Sequence, residues 1–434
     1  MLRRVLRSLV VLVALLAGAV LALALVVIEG EPLVRTRAAP TPEDVVTARG
    51  FVSDVKTAAS TGTGRASPLV TDQAELTSVV RLGVRLIPGF RGQITVEPWG
   101  VDLRASVPIA LPGATRWLNL AVTVPQFEKR VTLERVVLGP LTIPPGIALQ
   151  AGRIGANMIL GDGLGDTAVS AASGMRVADN TVAIDLEIGR VGENGIIGGL
   201  FGALRGGKMP PRTLVDNYHV RIREAMDRGD LPIRGSFLPY LVFTLNAAQE
   251  GARTEGASDA FTAAIFALTR ICGAHDFHLL FGDVVKAGTV AARDWQTECT
   301  RLKLNNRIDS RRHFITAAAI QAASNRNVSV TVGEYKELRD TVRSGGFDFT
   351  DLAANNSGVR LADLFMTTPP ERWPELIARI EAEGDVIVPY DDIPQILTRA
   401  EFSGRFGEID SPAYLEMIEL IEARIDTLAL HAPL

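Results

Sequence analysis

The sequence predicts an α+β protein with an N-terminal transmembrane helix, an antiparallel β-meander domain with flanking helices, and an all-α C-terminal domain. An uncharged apolar run opens the chain, short alternating runs between Gly and Pro follow residue 93, and helix-period segments follow residue 211. The 434 residues suffice for two domains of ordinary size beyond the apolar run. We place these domains at 41–190 and 211–434, with linkers at 29–40 and 191–210.

The first element is the apolar run from Leu9 to Ile28, which lacks charged residues. About twenty residues at 1.5 Å rise cross a hydrocarbon core of ~30 Å. Arginines precede the run and glutamates follow it, which predicts a cytoplasmic N-terminus and a periplasmic body. A cleaved signal peptide is the alternative, but its apolar region is usually about 7–15 residues long. We therefore expect residues 1–28 to anchor the protein in a bacterial inner membrane as a single pass.

The first domain opens with helix-start signals. Thr41 is a capping residue and Pro42 suits the first helical position, so a helix to about Ala59 is expected. A second helix runs from Asp72 towards Pro88. From Gln93, apolar and polar residues alternate in short runs that Gly and Pro turns separate, as in an antiparallel meander. Two helix-like segments follow Pro145. Further on, MRVADNTVAIDLEI is typical of a hairpin with an Asp-Asn turn.

The second domain is predicted to be wholly helical. Gly and Pro residues in 191–211 mark its boundary, and the rest shows helical periodicity. The predicted helices are 211–228, 236–250, 257–272, 309–324, 328–343, 351–365, 371–383, 391–402 and 411–429.

Composition and cysteine content restrict the class of partner. The net charge of −4 gives no indication of nucleic-acid binding. The chain has two cysteines, Cys272 and Cys299, which an oxidising periplasm would allow to form a disulfide. Two separate buried thiols are the alternative. Zinc bound with His275 and His278 is a further one, although this spacing is not a common finger pattern.

The candidate site lies in the segment from Arg311 to Gly358. His313 is near the start of one predicted helix, and the small residues on its other face suit close helix packing. The next two helices carry candidate partners on shared faces. The candidate residues are His313, Glu337, Asp340, Asp351 and Asn355.

A histidine beside carboxylates has two interpretations. General acid-base catalysis and divalent-metal binding both use it, because a carboxylate orients the imidazole and raises its basicity. A buried structural network is the alternative, in which Asp351 caps its helix while Lys336 and Arg339 pair with the acids. The sequence names no metal and no cofactor, so the cofactor stays unknown.

A resemblance to known families rests on this segment. The pattern is HF, an Ala-rich helix, G-x-x-KE-x-x-D, a glycine turn and F-x-F-x-DLAAN-x-x-G. It resembles a segment of YfiM-type bacterial lipoproteins and, more distantly, of VanZ-like membrane proteins, over about fifty residues. The resemblance implies an envelope location and assigns no reaction. The matching positions are His313, Phe314, Gly333, Lys336, Glu337, Asp340, Asp351, Asn355 and Gly358.

These observations predict a binding or scaffolding role in the bacterial cell envelope, with a lipid, the cell wall or an envelope protein as partner. One alternative is an envelope hydrolase that acts on a lipid, glycan or peptidoglycan bond through the His/Glu/Asp site. The sequence has no Ser or Cys nucleophile in a G-x-S-x-G elbow. A second alternative is a lipid-binding module, which would show a long apolar groove in the first domain.

Overall fold

The computed structural model describes residues 26–36, 39–60, 67–86, 89–111, 113–160, 164–186, 209–274, 281, 284, 299–324, 330, 333, 334, 336, 337 and 346–433. The chain divides into two compact units. The first comprises Met1–Pro40, Thr47–Gly155 and Asp166–Gly189; the second comprises Thr41–Val46, Ala156–Gly165 and Arg190–Leu434. Within the described ranges no helix has the length and apolarity that a membrane span needs. Residues 1–25, which hold most of the predicted anchor, lie outside these ranges.

The α+β class is confirmed, and the first unit contains the predicted antiparallel meander. The strands of its main sheet are β1 (Ile28–Glu29), β3 (Arg91–Glu97), β4 (Gly100–Leu111), β5 (Ala114–Pro125), β7 (Arg135–Leu138) and β8 (Leu141–Ile143). They are arranged in the order β3-β4-β5-β7-β8, and β1 pairs with β5.

A second antiparallel sheet has the order β2-β10-β9-β6. Its strands are β2 (Ser67–Asp72), β6 (Phe127–Glu128), β9 (Ala172–Ala178) and β10 (Thr181–Leu186). The predicted hairpin is present, and both residues of its turn, Asp179 and Asn180, have positive φ as a type I′ turn requires. Buried residues of both sheets form one apolar cluster, Val96, Val101, Met175 and Val182.

Helices α1 (Pro42–Ser60), α2 (Gln73–Leu86), α3 (Pro145–Leu160) and α4 (Leu164–Ala171) complete this part of the chain. The amide of Asp44 donates to the Thr41 hydroxyl at 3.2 Å, which is the predicted cap of α1. Asp72 caps α2 by accepting from the amide of Glu75 at 2.8 Å. Gln73 on α2 also bonds to the backbone of β3, through the carbonyl of Ile94 and the amide of Val96.

The segment that we expected to be a linker, 29–40, starts on the main sheet. Ile28 pairs with Leu118 and Glu29 with Trp117, so the apolar run ends inside β1. The amide of Leu33 donates to Asn119 Oδ1 at 2.9 Å, and that of Val34 donates to Ser106 Oγ at 3.0 Å. These polar side chains on the face of β4 and β5 hold the segment through its backbone, which hydropathy does not reveal.

The second unit is built mainly from helices. They are α5 (Arg212–Asp227), α6 (Leu238–Glu255), α7 (Ala257–Cys272), α8 (Ile308–Ala323), α9 (Phe349–Thr367), α10 (Trp373–Ile377), α11 (Arg399–Phe406) and α12 (Pro412–Asp426). Short strands β11 (Gly235–Ser236) and β12 (Leu302–Lys303) pair in parallel between them. Helix α7 is buried on all sides from Ala260 to Cys272, as expected of a central helix whose composition is apolar all round.

Two predicted helices differ from the structure. Residues 391–398 are not helical, because Leu397 forms a β-bridge with Phe347. Thr398 is the N-cap of α11, which begins at Arg399. The segment 371–383 is not one helix: it contains the end of the 3-10 turn Pro370–Arg372, the short α10 and the first residue of the 3-10 turn Glu383–Asp385. Of the predicted helix 328–343, only isolated residues are described.

Candidate functional site

The candidate site forms where α8 and α9 pack closely. Gly358 on α9 contacts the backbone of α8, since a Cβ at this position would lie 2.0 Å from the carbonyl oxygen of Phe314. This close approach brings His313 on α8 to the side of α9 that carries Asp351 and, one turn later, Asn355. Gly333 has a similar role, because its Cβ would lie 2.7 Å from Asn355 Nδ2. Both glycines of the sequence motif are thus positions of close packing.

Each ring nitrogen of His313 lies close to an oxygen atom of α9. Its Nε2 lies 3.0 Å from Asp351 Oδ2, and its Nδ1 lies 3.1 Å from Asn355 Oδ1. His313 is 5% exposed and Asp351 4%, so water has little access to the pair. Burial lowers the pKa of His313, but the adjacent carboxylate of Asp351 outweighs burial and raises it overall. The arrangement therefore favours an imidazolium whose Nε2 forms an ion pair with Asp351, although this nitrogen is not aligned for a hydrogen bond with any acceptor among the described residues.

Asp351 keeps its charge despite its burial. Burial would raise the pKa of this carboxyl, but the bond from His313 and the charges of His313, Lys336 and Arg307 lower it. Arg307 Nη2 lies 3.4 Å from Asp351 Oδ1 and 3.2 Å from Asp348 Oδ2. Lys336 Nζ lies 3.7 Å from Asp351 Oδ2. Cations therefore approach both oxygens of Asp351.

Glu337 is the most deeply buried acid of the group, at 1% exposure. Its Oε1 lies 3.0 Å from Lys336 Nζ, and its Oε2 accepts from the amide of Asp348 at 3.3 Å. Burial raises the pKa of Glu337 to about 7, because the nearby positive charges of Lys336 and His313 offset only part of the desolvation. Near neutral pH this carboxyl is therefore divided between its neutral and charged forms.

An aromatic cluster lies beside the polar group. The rings of Phe347 and Phe349, from the F-x-F motif, are 4.9 Å apart, and Phe349 is 4.6 Å from Phe406 on α11. Asp348 stands between these phenylalanines and caps α9 by accepting from the amide of Thr350 at 2.8 Å. The alternation of apolar and acidic residues thus directs the rings into the core and Asp348 towards Arg307.

Three residues of the group carry donor atoms that a metal ion could use. Ligand atoms of Asp309, His313 and Asp351 lie within 4.8 Å of one another. However, the same Asp351 oxygen faces the Nε2 of His313 at 3.0 Å and Lys336 Nζ at 3.7 Å. A metal ligand must instead offer a neutral imidazole lone pair, and a bound ion would have to displace the lysine. These residues fit a salt-bridge network better than a metal site.

The arrangement also limits acid-base chemistry. A general base needs one imidazole nitrogen directed at a substrate, while the other is oriented by a partner. Here Asp351 and Asn355 each lie against one nitrogen of His313, and both are buried. This closed geometry favours the structural network, one of the two interpretations of the sequence.

The sequence prediction located most of the group. His313, Glu337, Asp351 and Asn355 converge, whereas Asp340 lies outside the described residues. Sequence reasoning missed Asp348 and Arg307. An acidic residue just before a helix is a recognisable capping signal for Asp348. Arg307 gave no local signal, because its contacts with Asp348 and Asp351 span more than forty residues.

The cysteines form a second feature of the same unit. Cys272 at the end of α7 and Cys299 are joined by a disulfide, with Cα atoms 5.3 Å apart. Joined sulfurs are not available as thiolate ligands, and His275 and His278 lie outside the described residues. Arg311, on α8, donates to the carbonyl oxygens of Cys299 and Leu302 and so links the disulfide to the helix that carries His313.

Comparison with known proteins adds no relative. No protein-family model matches the chain, and the searches of curated proteins and of solved structures give no significant match.

Proposed function

We propose that this chain is a binding or scaffolding protein of the bacterial cell envelope, anchored in the inner membrane by residues 1–28 with its body in the periplasm. The observation that carries the proposal is the disulfide between Cys272 and Cys299. Structural disulfides persist in oxidising compartments and are rare in the cytosol. The arginines before the apolar run and the glutamates after it support the same orientation. The resemblance to YfiM-type lipoproteins agrees with this location and stays a prediction.

A binding role is favoured over hydrolysis by the state of the polar group. His313, Asp351 and Asn355 are buried in contact with one another, and Arg307 and Lys336 lie beside the acids. A buried network in which each charge has a partner holds helices in one arrangement. In this proposal the polar network fixes α8 against α9, and the rigid surface of the unit binds a partner.

The location is tested by topology. Alkaline phosphatase, which is active only after export, is fused to the C-terminus of the full chain and of a chain that lacks residues 1–28. We expect activity and membrane association for the full chain only. Alkylation in intact cells should find Cys272 and Cys299 oxidised. An inactive fusion with reduced cysteines, recovered in the cytosolic fraction, would contradict the proposal.

A further inference from the structure

A cavity of about 380 Å³ lies on the polar face of the main sheet, within the first unit. Its lining includes two acids, two arginines and two neutral polar residues: Glu29, Asp102, Arg104, Arg135, Asn119 and Thr123. Ligand pockets typically have volumes of about 300–1,000 Å³, so the cavity suits a small molecule or a head group. This lining differs from the apolar groove that the lipid-module alternative predicts.

The register of the sheet explains the cavity. On β5 the side chains of Asn119, Ala121 and Thr123 point to the same face. Ala121 is opposite Arg104 on β4, and Thr123 is opposite Arg135 on β7. Neighbouring strands are about 4.8 Å apart, so β4 and β7 are roughly 10 Å apart across β5. The small side chain of Ala121 therefore forms a depression with an arginine on each side.

The acids of the cavity accept hydrogen bonds from neighbouring side chains, whereas its arginines are available to bind a ligand. Asp102 accepts from the Thr123 hydroxyl at 2.7 Å, and Glu29 accepts from Asn119 Nδ2 at 2.5 Å. Arg104 and Arg135 are exposed, and in the part of the chain that the structure describes neither has a hydrogen-bond or ion-pair partner. Two guanidiniums aimed at one depression suit an oxyanion, and the fixed carboxylates suit a cation beside it.

We propose that this cavity binds a zwitterion that carries a phosphate and an ammonium group. Arg104 and Arg135 contact the phosphate from opposite sides of β5, and Asp102 or Glu29 accepts from the ammonium. This chemistry is shared by free phosphoethanolamine and by the head group of phosphatidylethanolamine. Glu29 directly follows the apolar run that ends at Ile28, which favours the lipid as the source. That choice of source rests on the proposed membrane anchor, whereas the pocket chemistry does not.

The test uses the full chain purified in detergent and two matched double variants. R104Q/R135Q removes both arginines of the cavity. R116Q/R130Q removes the same charge from exposed arginines that do not line it. Calorimetry measures binding of phosphoethanolamine, inorganic phosphate and ethanolamine. The chain is then reconstituted into nanodiscs with or without phosphatidylethanolamine, and binding of phosphoethanolamine is measured again to see whether the lipid competes with it.

We expect phosphoethanolamine to bind more tightly than either fragment, and R104Q/R135Q to weaken it at least about tenfold while R116Q/R130Q has little effect. Phosphatidylethanolamine in the disc should compete, which identifies the lipid as source; binding without such competition supports the pocket with a soluble ligand. Absence of binding by the unaltered chain, or equal loss in both variants, overturns the proposal. A cytosolic fusion in the topology experiment would reject the anchor and leave the calorimetry interpretable.

Discussion

At the residue scale, the contact between His313 and Asp351 dominates the polar group. Both side chains are almost fully buried, at 4% and 6% exposure, and their nearest atoms are 3.0 Å apart. Removing one member of a buried ion pair leaves the charge of the other buried and uncompensated. We expect Asp351→Asn to lower the free energy of unfolding by about 3 to 5 kcal/mol, as measured by urea denaturation. The pKa of His313, followed by NMR, should fall because burial then acts without the opposing carboxylate.

Asp309 provides the matched control. It lies 3.9 Å from the same His313 nitrogen, but its side chain is 50% exposed. Exposed pairs contribute at most about 1 kcal/mol, so Asp309→Asn should change stability by less than this. Equal losses in the two variants would contradict the account of a buried network. A metal that binds stoichiometrically and is lost in both variants would instead support the hydrolase alternative.

Glu337 predicts a pH dependence of stability. Burial raises its pKa from the ordinary 4.5 to about 7 in the folded chain, so the folded state binds the proton more tightly than the unfolded state does. The resulting stabilisation is complete below the unfolded pKa and is lost as pH rises through the folded pKa. A shift of this size corresponds to roughly 3 kcal/mol between about pH 4 and pH 8.

The variant Glu337→Gln isolates this contribution because glutamine resembles the protonated acid. We expect the variant to match the unaltered chain near pH 4 and to gain relative stability as pH rises, which thermal melting across this range would measure. His313 also has a raised pKa and stays in both proteins, so a residual slope persists. A stability difference that does not vary with pH would show that folding leaves the pKa of Glu337 unchanged.

At the scale of elements, the packing of α8 on α9 depends on glycine. A Cβ at Gly358 would lie 2.0 Å from the carbonyl oxygen of Phe314, which is backbone and cannot rotate away. Overpacking a core usually costs about 1–3 kcal/mol, and a clash with backbone should reach or exceed the upper value. We expect Gly358→Ala to lower the melting temperature markedly and to separate His313 from Asp351. Loss of the raised pKa of His313 in NMR titration would report this separation.

Gly404 is the control for the helical glycine. It lies inside α11, and a Cβ there would have nothing within 4 Å. Alanine is favoured over glycine in a helix by about 1 kcal/mol, so Gly404→Ala should be neutral or stabilising. If Gly358→Ala also proved neutral, the close approach of the two helices could not be what assembles the polar group.

The elements show which parts of a fold are visible in sequence. Local sequence signals predicted the cap of α1, the Asp179–Asn180 hairpin and the antiparallel meander, because each depends on residues that are near one another in the chain. Strand β2 was missed since it pairs with β10, more than a hundred residues away. The helix expected at 391–402 was wrong because Leu397 pairs instead with the backbone of Phe347. Tertiary pairing overrides local propensity at such places.

At the scale of the whole molecule, the sequence identified the candidate residues but left their chemistry open. The helical faces of His313, Asp351 and Asn355 follow from their spacing. Their burial and the arrival of Arg307 depend on how helices pack, and these features separate a closed network from an open active site. The cavity around Ala121 was likewise hidden, since strand register across β4, β5 and β7 brings its arginines together.

The disulfide gives a prediction for the whole helical unit. It joins residues separated by 27 positions, and closing a loop of this length in the unfolded chain is worth about 3 to 4 kcal/mol. We expect Cys272→Ser/Cys299→Ser to lose roughly this much stability and to melt at the same temperature as the unaltered chain under reducing conditions. Thermal melting with and without reductant measures both effects.

The outcome also bears on where the chain folds. If Arg311 holds Cys299 in place through its carbonyl, reduction should loosen the loop and leave α7, α8 and α9 packed, so the raised pKa of His313 should survive. A double-serine variant as stable as the unaltered chain would mean that the bond adds nothing to folding, and the argument for an oxidising compartment would lose its main support. A large loss that reductant reproduces would make export a condition of stability, because a reducing cytosol would keep the two sulfurs apart.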